Sequence, residues 1–101
     1  MNERVLELRT QAAAWVAKNH QPQDPNAYSK KEIDQRYFMY EEKFAELIVR
    51  ECANVLRAES ERLYKLSAEE KDELFASNFE ICAEKCVDNE VAIREHFGVE
   101  E

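Results

Sequence analysis

Residues that make tight turns are scarce in this chain: its 101 residues include one glycine and two prolines. β-Hairpins need residues that adopt positive φ angles, usually glycine or an Asn-Gly pair, and the sequence contains no such pair. Helix-favouring Ala, Glu, Leu, Lys and Arg dominate the composition instead. Because 45% of the residues are apolar, the chain can form a core and is not a disordered tail. We therefore expect one all-α domain over residues 1–101.

Other absences narrow the class of protein. No stretch of about eighteen uncharged apolar residues is present, so we expect no membrane span. The first residues, Met1 to Arg4, lack the apolar core of a signal peptide. Three cysteines without a secretory context indicate reduced thiols in a cytoplasm. An isoelectric point near 4.8 disfavours a general nucleic-acid binder, because such domains are usually basic.

Motifs of catalysis and cofactor binding are also missing. There is no glycine-rich loop that could cradle a phosphate. The two histidines, His20 and His96, stand outside nucleophile and metalloenzyme patterns, and each is better interpreted as a cation at a helix end. Acidic pairs such as Glu69-Glu70 are adjacent, so their side chains diverge on a helix and cannot share one substrate. We expect no enzyme activity and no cofactor.

What the chain does contain is charge concentrated at one end. Residues 1–66 carry eleven acids and eleven bases, whereas residues 67–101 carry eleven acids and three bases. The whole net charge of −8 therefore belongs to the last third of the chain. Such a region could attract a basic protein surface. The candidate partner-binding residues are Glu69, Glu70, Asp72 and Glu73.

Apolar spacing and capping residues predict three to four helices in a small bundle. Asn2 is a suitable N-cap for the first helix, and both prolines fall in the loop that follows it. Ser29 and Ser67 each open a capping-box pattern. Gly98 suits the left-handed residue that ends a helix. The predicted helices are 3–19, 30–66, 68–87 and 90–97.

The long second helix dominates this prediction. No glycine or proline lies near residues 58–61, so a continuous helix and one broken there are both compatible with the pattern. The predicted inner stripe of the helix is Ile33, Tyr37, Tyr40, Phe44, Ile48, Cys52, Val55 and Leu56. The stripe of the first helix is Val5, Leu8, Ala12 and Trp15, and that of the third is Phe75, Phe79, Cys82 and Cys86. Because these shorter helices cannot cover the long stripe, we expect a homo-oligomer, most simply a two-fold dimer.

A line of basic residues recurs every seven positions along the long helix. Seven residues are nearly two turns, so these side chains share one side of the helix. The candidate ligand-binding residues are Arg36, Lys43, Arg50 and Arg57, with the adjacent rings of Tyr37 and Tyr40. One interpretation is a groove in which aromatic rings stack a base and guanidinium groups hold phosphate. The other is a row of ordinary ion pairs between helices, such as Glu46 with Arg50.

The cysteines admit two interpretations of their own. Cys82 and Cys86 are one turn apart, and with Cys52 and His96 they could form a Cys₃His zinc site. The usual C-x₂-C spacing of such sites is absent, and cysteine also behaves as a small apolar residue. We favour burial, and we predict no metal.

Two segments carry a resemblance to a known group of proteins. The stretch Phe44-Ala-Glu-Leu-Ile-Val-Arg-Glu-Cys-Ala-Asn-Val-Leu56 and the ending Ala92-Ile-Arg-Glu-His-Phe-Gly-Val-Glu-Glu101 resemble small accessory proteins of tailed bacteriophages. The two segments cover about a quarter of the chain, and residues 57–89 look like an addition to the shortest of these proteins. The resemblance implies a phage origin and supplies no catalytic residue.

That resemblance implies a function by binding, in the cytoplasm of an infected host cell. The leading expectation is a protein that inhibits a host component, most simply one of anti-phage defence. An alternative is an oligomeric sponge that sequesters a cyclic nucleotide or an ADP-ribose-type signal. A third alternative is a structural or assembly role within the phage.

Overall fold

The computed structural model describes residues 2–22, 25–26 and 28–100. Within those ranges the regular structure consists of α-helices, with no strand. The helices are α1 (Glu3–Asn19), α2 (Lys30–Glu69) and α3 (Glu73–Phe97). The predicted all-α class with one long central helix is therefore confirmed.

The chain divides into two compact units, one ending at Ile48 and the other beginning at Val49. We call the unit Met1–Ile48, which contains α1 and the first part of α2, the N-terminal hairpin, and the unit Val49–Glu101, which contains the rest of α2 and α3, the C-terminal hairpin. In each hairpin the two helices run antiparallel, because a residue far from the connecting loop on one helix contacts a residue far from that loop on the other. Arg9 contacts Tyr40 in the first hairpin, and Arg57 contacts Glu90 in the second. The single domain over residues 1–101 stays a prediction.

Local capping residues explain most helix ends. The Asn2 side chain accepts a hydrogen bond of 2.7 Å from the Arg4 backbone N–H. Helix α1 starts at Glu3, directly after this cap, as predicted. The Ser29 hydroxyl accepts one of 3.3 Å from the Glu32 backbone N–H at the start of α2. Gly98 ends α3 in the left-handed region at φ 67°, and the Val99 N–H donates back to Arg94.

Three predicted helix limits differ from the structure. α2 is continuous through residues 58–61, which is one of the two alternatives that the sequence left open, and it ends at Glu69 rather than at residue 66. The predicted helix start at residue 68 is displaced, because the Ser67 hydroxyl donates to the Ala76 carbonyl at 2.8 Å and Asp72 caps α3. α3 then runs unbroken through residues 88–89, so the predicted helices 68–87 and 90–97 are one helix that starts later.

The helices meet on smaller side chains than the predicted stripes contain. Buried apolar residues of the described part are Leu8, Ala12 and Val16 in the N-terminal hairpin, and Ala53 and Ala83 in the C-terminal hairpin. Trp15, Phe75 and Cys82, which were predicted to face inward, are exposed. Alanine allows two helix backbones to approach closely, and larger neighbours are then displaced to the rim. On α3, the predicted Phe79 and Cys86 are half-buried, whereas Ala76 and Ala83 take the inward positions that were predicted for Phe75 and Cys82.

Candidate functional site

A shallow groove in the N-terminal hairpin, which we call the tyrosine groove, brings together three of the predicted ligand-binding residues. Arg36, Tyr37 and Tyr40 line it from α2, over a floor that includes Val16 and Ile33. Its volume is about 360 Å³, and it is open to solvent. The groove therefore offers one guanidinium and two phenol groups beside an apolar surface.

Hydrogen bonds hold both tyrosines of this groove in position. The hydrogen bond between Tyr37 and the Glu41 carboxylate, together with the negative charge of Glu41, raises the pKa of Tyr37. Tyr40 accepts a hydrogen bond of 3.2 Å from Arg9 Nε on α1. The Tyr40 ring also stacks on Phe44, with centroids 6.0 Å apart and planes 2° from parallel. Both rings are suited to stacking, and both phenol groups take part in hydrogen bonds.

Lys43 lies in a different environment from Arg36. Its Nζ atom is 4.9 Å from the centroid of the Trp15 ring and 3.2 Å from Glu46 Oε2. A small cavity of about 150 Å³ adjoins these side chains. A cation over an indole face is attracted by the ring quadrupole, so Lys43 here links α1 to α2.

The other two members of the basic line belong to the C-terminal hairpin. Arg57 places Nη2 at 3.0 Å from Glu90 Oε1 and Nε at 3.4 Å from Oε2, so the pair is two-pronged. Arg94 binds the same Glu90 carboxylate from one turn further along α3. Arg50 is partly buried on α2. Of the line, only Arg36 contributes to the tyrosine groove, and Arg57 serves as an ion-pair partner between helices.

The predicted acidic group forms the corner between α2 and α3. Asp72 Oδ1 accepts hydrogen bonds from the backbone N–H groups of Leu74 and Phe75, and Glu70 Oε1 accepts one from Asp72. Glu69 ends α2, Glu73 begins α3, and both are exposed. Two of the four carboxylates therefore stabilise the turn, and the other two project from it.

Sequence reasoning missed a mixed face on α3. Exposed carboxylates recur every fourth residue at Glu80, Glu84 and Asp88, and the exposed Val87 and Val91 lie among them. We call these five residues the α3 face. The periodicity that could have identified it was present, but the predicted stripe used only the large apolar residues.

Each hairpin also buries one glutamate that the sequence analysis did not single out. Glu32 is fully buried, and its Oε2 lies 3.0 Å from Nε2 of His20, whose side chain is 8% exposed. Glu90 is 3% exposed and is held by Arg57 and Arg94. His20 follows the last residue of α1, so its expected place at a helix end holds, with a carboxylate as its partner.

The cysteines do not assemble a metal site. Among residues 2–22, 25–26 and 28–100, no group of three or more His, Cys, Asp or Glu side chains is arranged to hold a metal ion. Cys52 and Cys82 are exposed and Cys86 is partly buried, so the preferred interpretation of all three as buried residues is also wrong.

None of the described helices has the length and apolar character needed to cross a bilayer. Comparison of the chain with protein-family models, curated proteins and solved structures finds no match.

Proposed function

We propose that this chain is a non-enzymatic bacteriophage accessory protein that inhibits a host component, most simply one of anti-phage defence, by binding it through the α3 face. The observation that carries the proposal is the composition of that face. Val87 and Val91 are exposed apolar side chains, and Glu80, Glu84 and Asp88 border them with negative charge. An apolar centre with a charged rim is typical of protein interfaces.

Charge indicates the chemistry of the partner. The C-terminal hairpin, from Val49, contains fourteen acids and seven bases, whereas the N-terminal hairpin contains eight acids and seven bases. A basic protein surface would be steered towards the C-terminal hairpin, with a larger effect on the association rate than on affinity. Exposed Glu69 and Glu73 add to the same field. The origin and the cytoplasm of an infected cell as the place of action come from the phage resemblance of residues 44–56 and 92–101.

The test begins with capture of partners from lysates of infected and uninfected host cells. A captured host protein supports inhibition, whereas a captured phage protein supports the assembly role. The association rate is then measured for the double reversal Glu80→Lys with Glu84→Lys. We expect it to fall on the order of 10-fold at low salt, and we expect the salt dependence to weaken.

A matched control changes the net charge by the same amount elsewhere. Glu3→Lys with Asp34→Lys reverses two exposed acids of the N-terminal hairpin. Asp72 is left intact in both variants because it caps α3. Equal losses in the two double variants would show that only net charge matters, and the α3 face would then be the wrong surface.

A second candidate function is favoured by the tyrosine groove. Arg36, Tyr37 and Tyr40 could take an anionic nucleotide, as a sponge for a cyclic nucleotide or ADP-ribose-type signal would require. Thermal-shift measurements with cyclic dinucleotides and cyclic ADP-ribose isomers test this function directly. A ligand at 100 times its Kd stabilises a protein by about 2.7 kcal/mol. The absence of any shift, or a shift that persists in Arg36→Gln, would eliminate the groove as the sponge site.

Self-association is also part of this proposal. The α2 side chains Ile33, Tyr37 and Ile48 remain 49%, 58% and 36% exposed within the N-terminal hairpin. Covering them would gain roughly 1 kcal/mol or more for each half-exposed side chain. Sedimentation across the micromolar range should show a species larger than one 11.9 kDa chain.

A further inference from the structure

We infer that two copies of this chain pair in antiparallel fashion along α2, with the two-fold axis between Tyr40 and Glu41. The inference rests on the self-association proposed above and adds its surface, direction and register. The surface is the exposed side of α2 in the N-terminal hairpin, which we call the α2 stripe. It consists of the exposed Ile33, Tyr37 and Ile48 and the half-buried Phe44, with the half-buried Tyr40 and the exposed Glu41 at its centre.

The order of residues along the α2 stripe reads nearly the same in both directions. Ile33 and Ile48 each lie seven residues from the central pair, and Tyr37 and Phe44 each lie three residues from it. In an isologous dimer, residue i meets residue j and j meets i. An antiparallel pairing about the centre therefore places Ile33 against Ile48 of the second copy, and Tyr37 against Phe44. Both layers match apolar with apolar side chains of similar size.

Lys30 and Glu51 are each ten residues from the centre, so the antiparallel register brings Lys30 to the level of Glu51 of the second copy, twice per dimer. The same register brings the two Glu41 carboxylates near the axis, where they repel each other, so the apolar layers have to supply the net attraction. The N-terminal hairpin is also nearly neutral, with eight acids and seven bases, so two copies of it repel each other little.

The size of the stripe sets the strength that we expect. From Ile33 to Ile48 the helix extends about 22 Å, at 1.5 Å per residue. Such a strip is smaller than the roughly 800 Å² per partner of a standard stable interface. The dimer should therefore be in exchange with monomer at micromolar concentration, and it should dissociate readily on dilution.

Sedimentation velocity of the full chain tests the surface. Tyr37→Glu and Ile48→Glu should each raise the dimer dissociation constant on the order of 10-fold or more, because every substitution acts twice across a two-fold axis. Leu6→Glu is the matched control, since Leu6 is a half-exposed apolar residue on α1 of the same hairpin. Circular dichroism checks that each variant stays helical. A wild-type chain that is monomeric throughout, or a Leu6→Glu variant that dissociates equally, overturns the inference.

Cross-linking with a short bismaleimide tests the register, in a background in which Cys52, Cys82 and Cys86 are replaced. Glu41→Cys lies near the axis and should link to itself in the second copy. Ile33→Cys should not, because its two copies would be about 22 Å apart, but combining it with Ile48→Cys should restore the link. A dimer in which Ile33→Cys links to itself would refute the antiparallel register alone. The binding proposed for the α3 face has its own charge-reversal test and would stand or fall separately.

Discussion

The two hairpins bury the same group, a glutamate, beside different cations. In the N-terminal hairpin, Glu32 lies beside His20, which carries a charge only when it is protonated. In the C-terminal hairpin, Glu90 lies between Arg57 and Arg94, which are always charged. A buried carboxylate without a cation is strongly destabilising. In the C-terminal hairpin two guanidinium groups from two helices therefore compensate one carboxylate, whereas in the N-terminal hairpin the end of α1 supplies the His20 imidazole to Glu32.

The two contacts also differ in how far their side chains are exposed to water. The Arg57 side chain is 49% exposed and shares its carboxylate with Arg94, which is largely buried. His20 and Glu32 are both removed from water, so their interaction is screened little. We therefore expect the two buried glutamates to respond differently when one of their cationic or imidazole partners is removed.

The largest expected effect comes from removing His20. His20→Ala should lower the free energy of unfolding by about 2–3 kcal/mol, because it takes away a hydrogen-bonding partner of a fully buried carboxylate. Arg57→Ala should cost about 1 kcal/mol or less, since Arg94 remains and Arg57 is half-exposed. Urea unfolding gives both values, and hydrogen exchange should locate the first loss in α1 and the start of α2.

His20→Gln is the control for this comparison. The glutamine side chain can still donate an N–H to Glu32, so a good part of the stability should return. If His20→Ala and Arg57→Ala lower the free energy of unfolding equally, Arg94 does not compensate for the loss of Arg57 and the expected difference between the hairpins is wrong.

A second test asks whether alanine contacts matter equally in both hairpins. Ala83→Leu and Ala12→Leu place a larger side chain where the native residue is fully buried. Each should cost about 1–3 kcal/mol, because overpacking forces the helices apart. Ala58→Leu is the control, because Ala58 is exposed on α2. Thermal unfolding measures all three, and a tolerant Ala83 would mean that α3 can shift without loss.

The ends of α1 and α3 offer a third contrast. α1 ends in extended backbone at His20, with φ −86° and ψ 123°, whereas α3 ends in the left-handed Gly98. Gly98→Ala meets no atom within 4 Å, so its cost is conformational and should be about 1 kcal/mol. Differential scanning calorimetry measures it. Gly98→Asn should be milder, because asparagine tolerates this conformation, and an alanine without any cost would argue that the end of α3 is frayed.

The smallest expected effect concerns a surface pair of the C-terminal hairpin. The hydrogen bond from Arg62 to Glu59, 2.9 Å long, lowers the pKa of Glu59. A lowered folded-state pKa gives stability above the unfolded value and loses it as the pH falls through the folded value. Glu59→Gln should therefore lower the melting temperature slightly at neutral pH and not at all in acid. A difference that grows on acidification would contradict this sign.

The sequence predicted those helix ends that depend on contacts between neighbouring residues. Asn2 and Gly98 act through their own backbone neighbours, so the start of α1 and the end of α3 followed directly. Ser67 has the same cap-like pattern, but its hydroxyl contacts Ala76 across the turn, which no local pattern reveals. The predicted buried face of α3 was wrong in part for a related reason. Ala83 and Glu90 are buried, but a stripe that is chosen from large apolar residues does not include them.

The candidate site was predicted in part for the same reason. Arg36, Tyr37 and Tyr40 are close in sequence and share the tyrosine groove. The roles of Lys43 and Arg57 depend on Trp15 and Glu90, which are supplied by other helices. Spacing along one helix cannot identify a partner on another helix. The four basic residues therefore looked like one continuous binding surface in the sequence, although Lys43 and Arg57 have different partners in the structure.

The short turn between α2 and α3 has a consequence for how the chain folds. Only three residues, 70–72, separate the two helices, and the contact from Ser67 to Ala76 closes next to them. Closing so small a loop costs little chain entropy. Contacts between sequence neighbours also give helical proteins folding times of microseconds to milliseconds. We therefore expect the C-terminal hairpin to form from its turn outward, and Asp72→Ala, which removes the cap there, to slow refolding more than Gly98→Ala does.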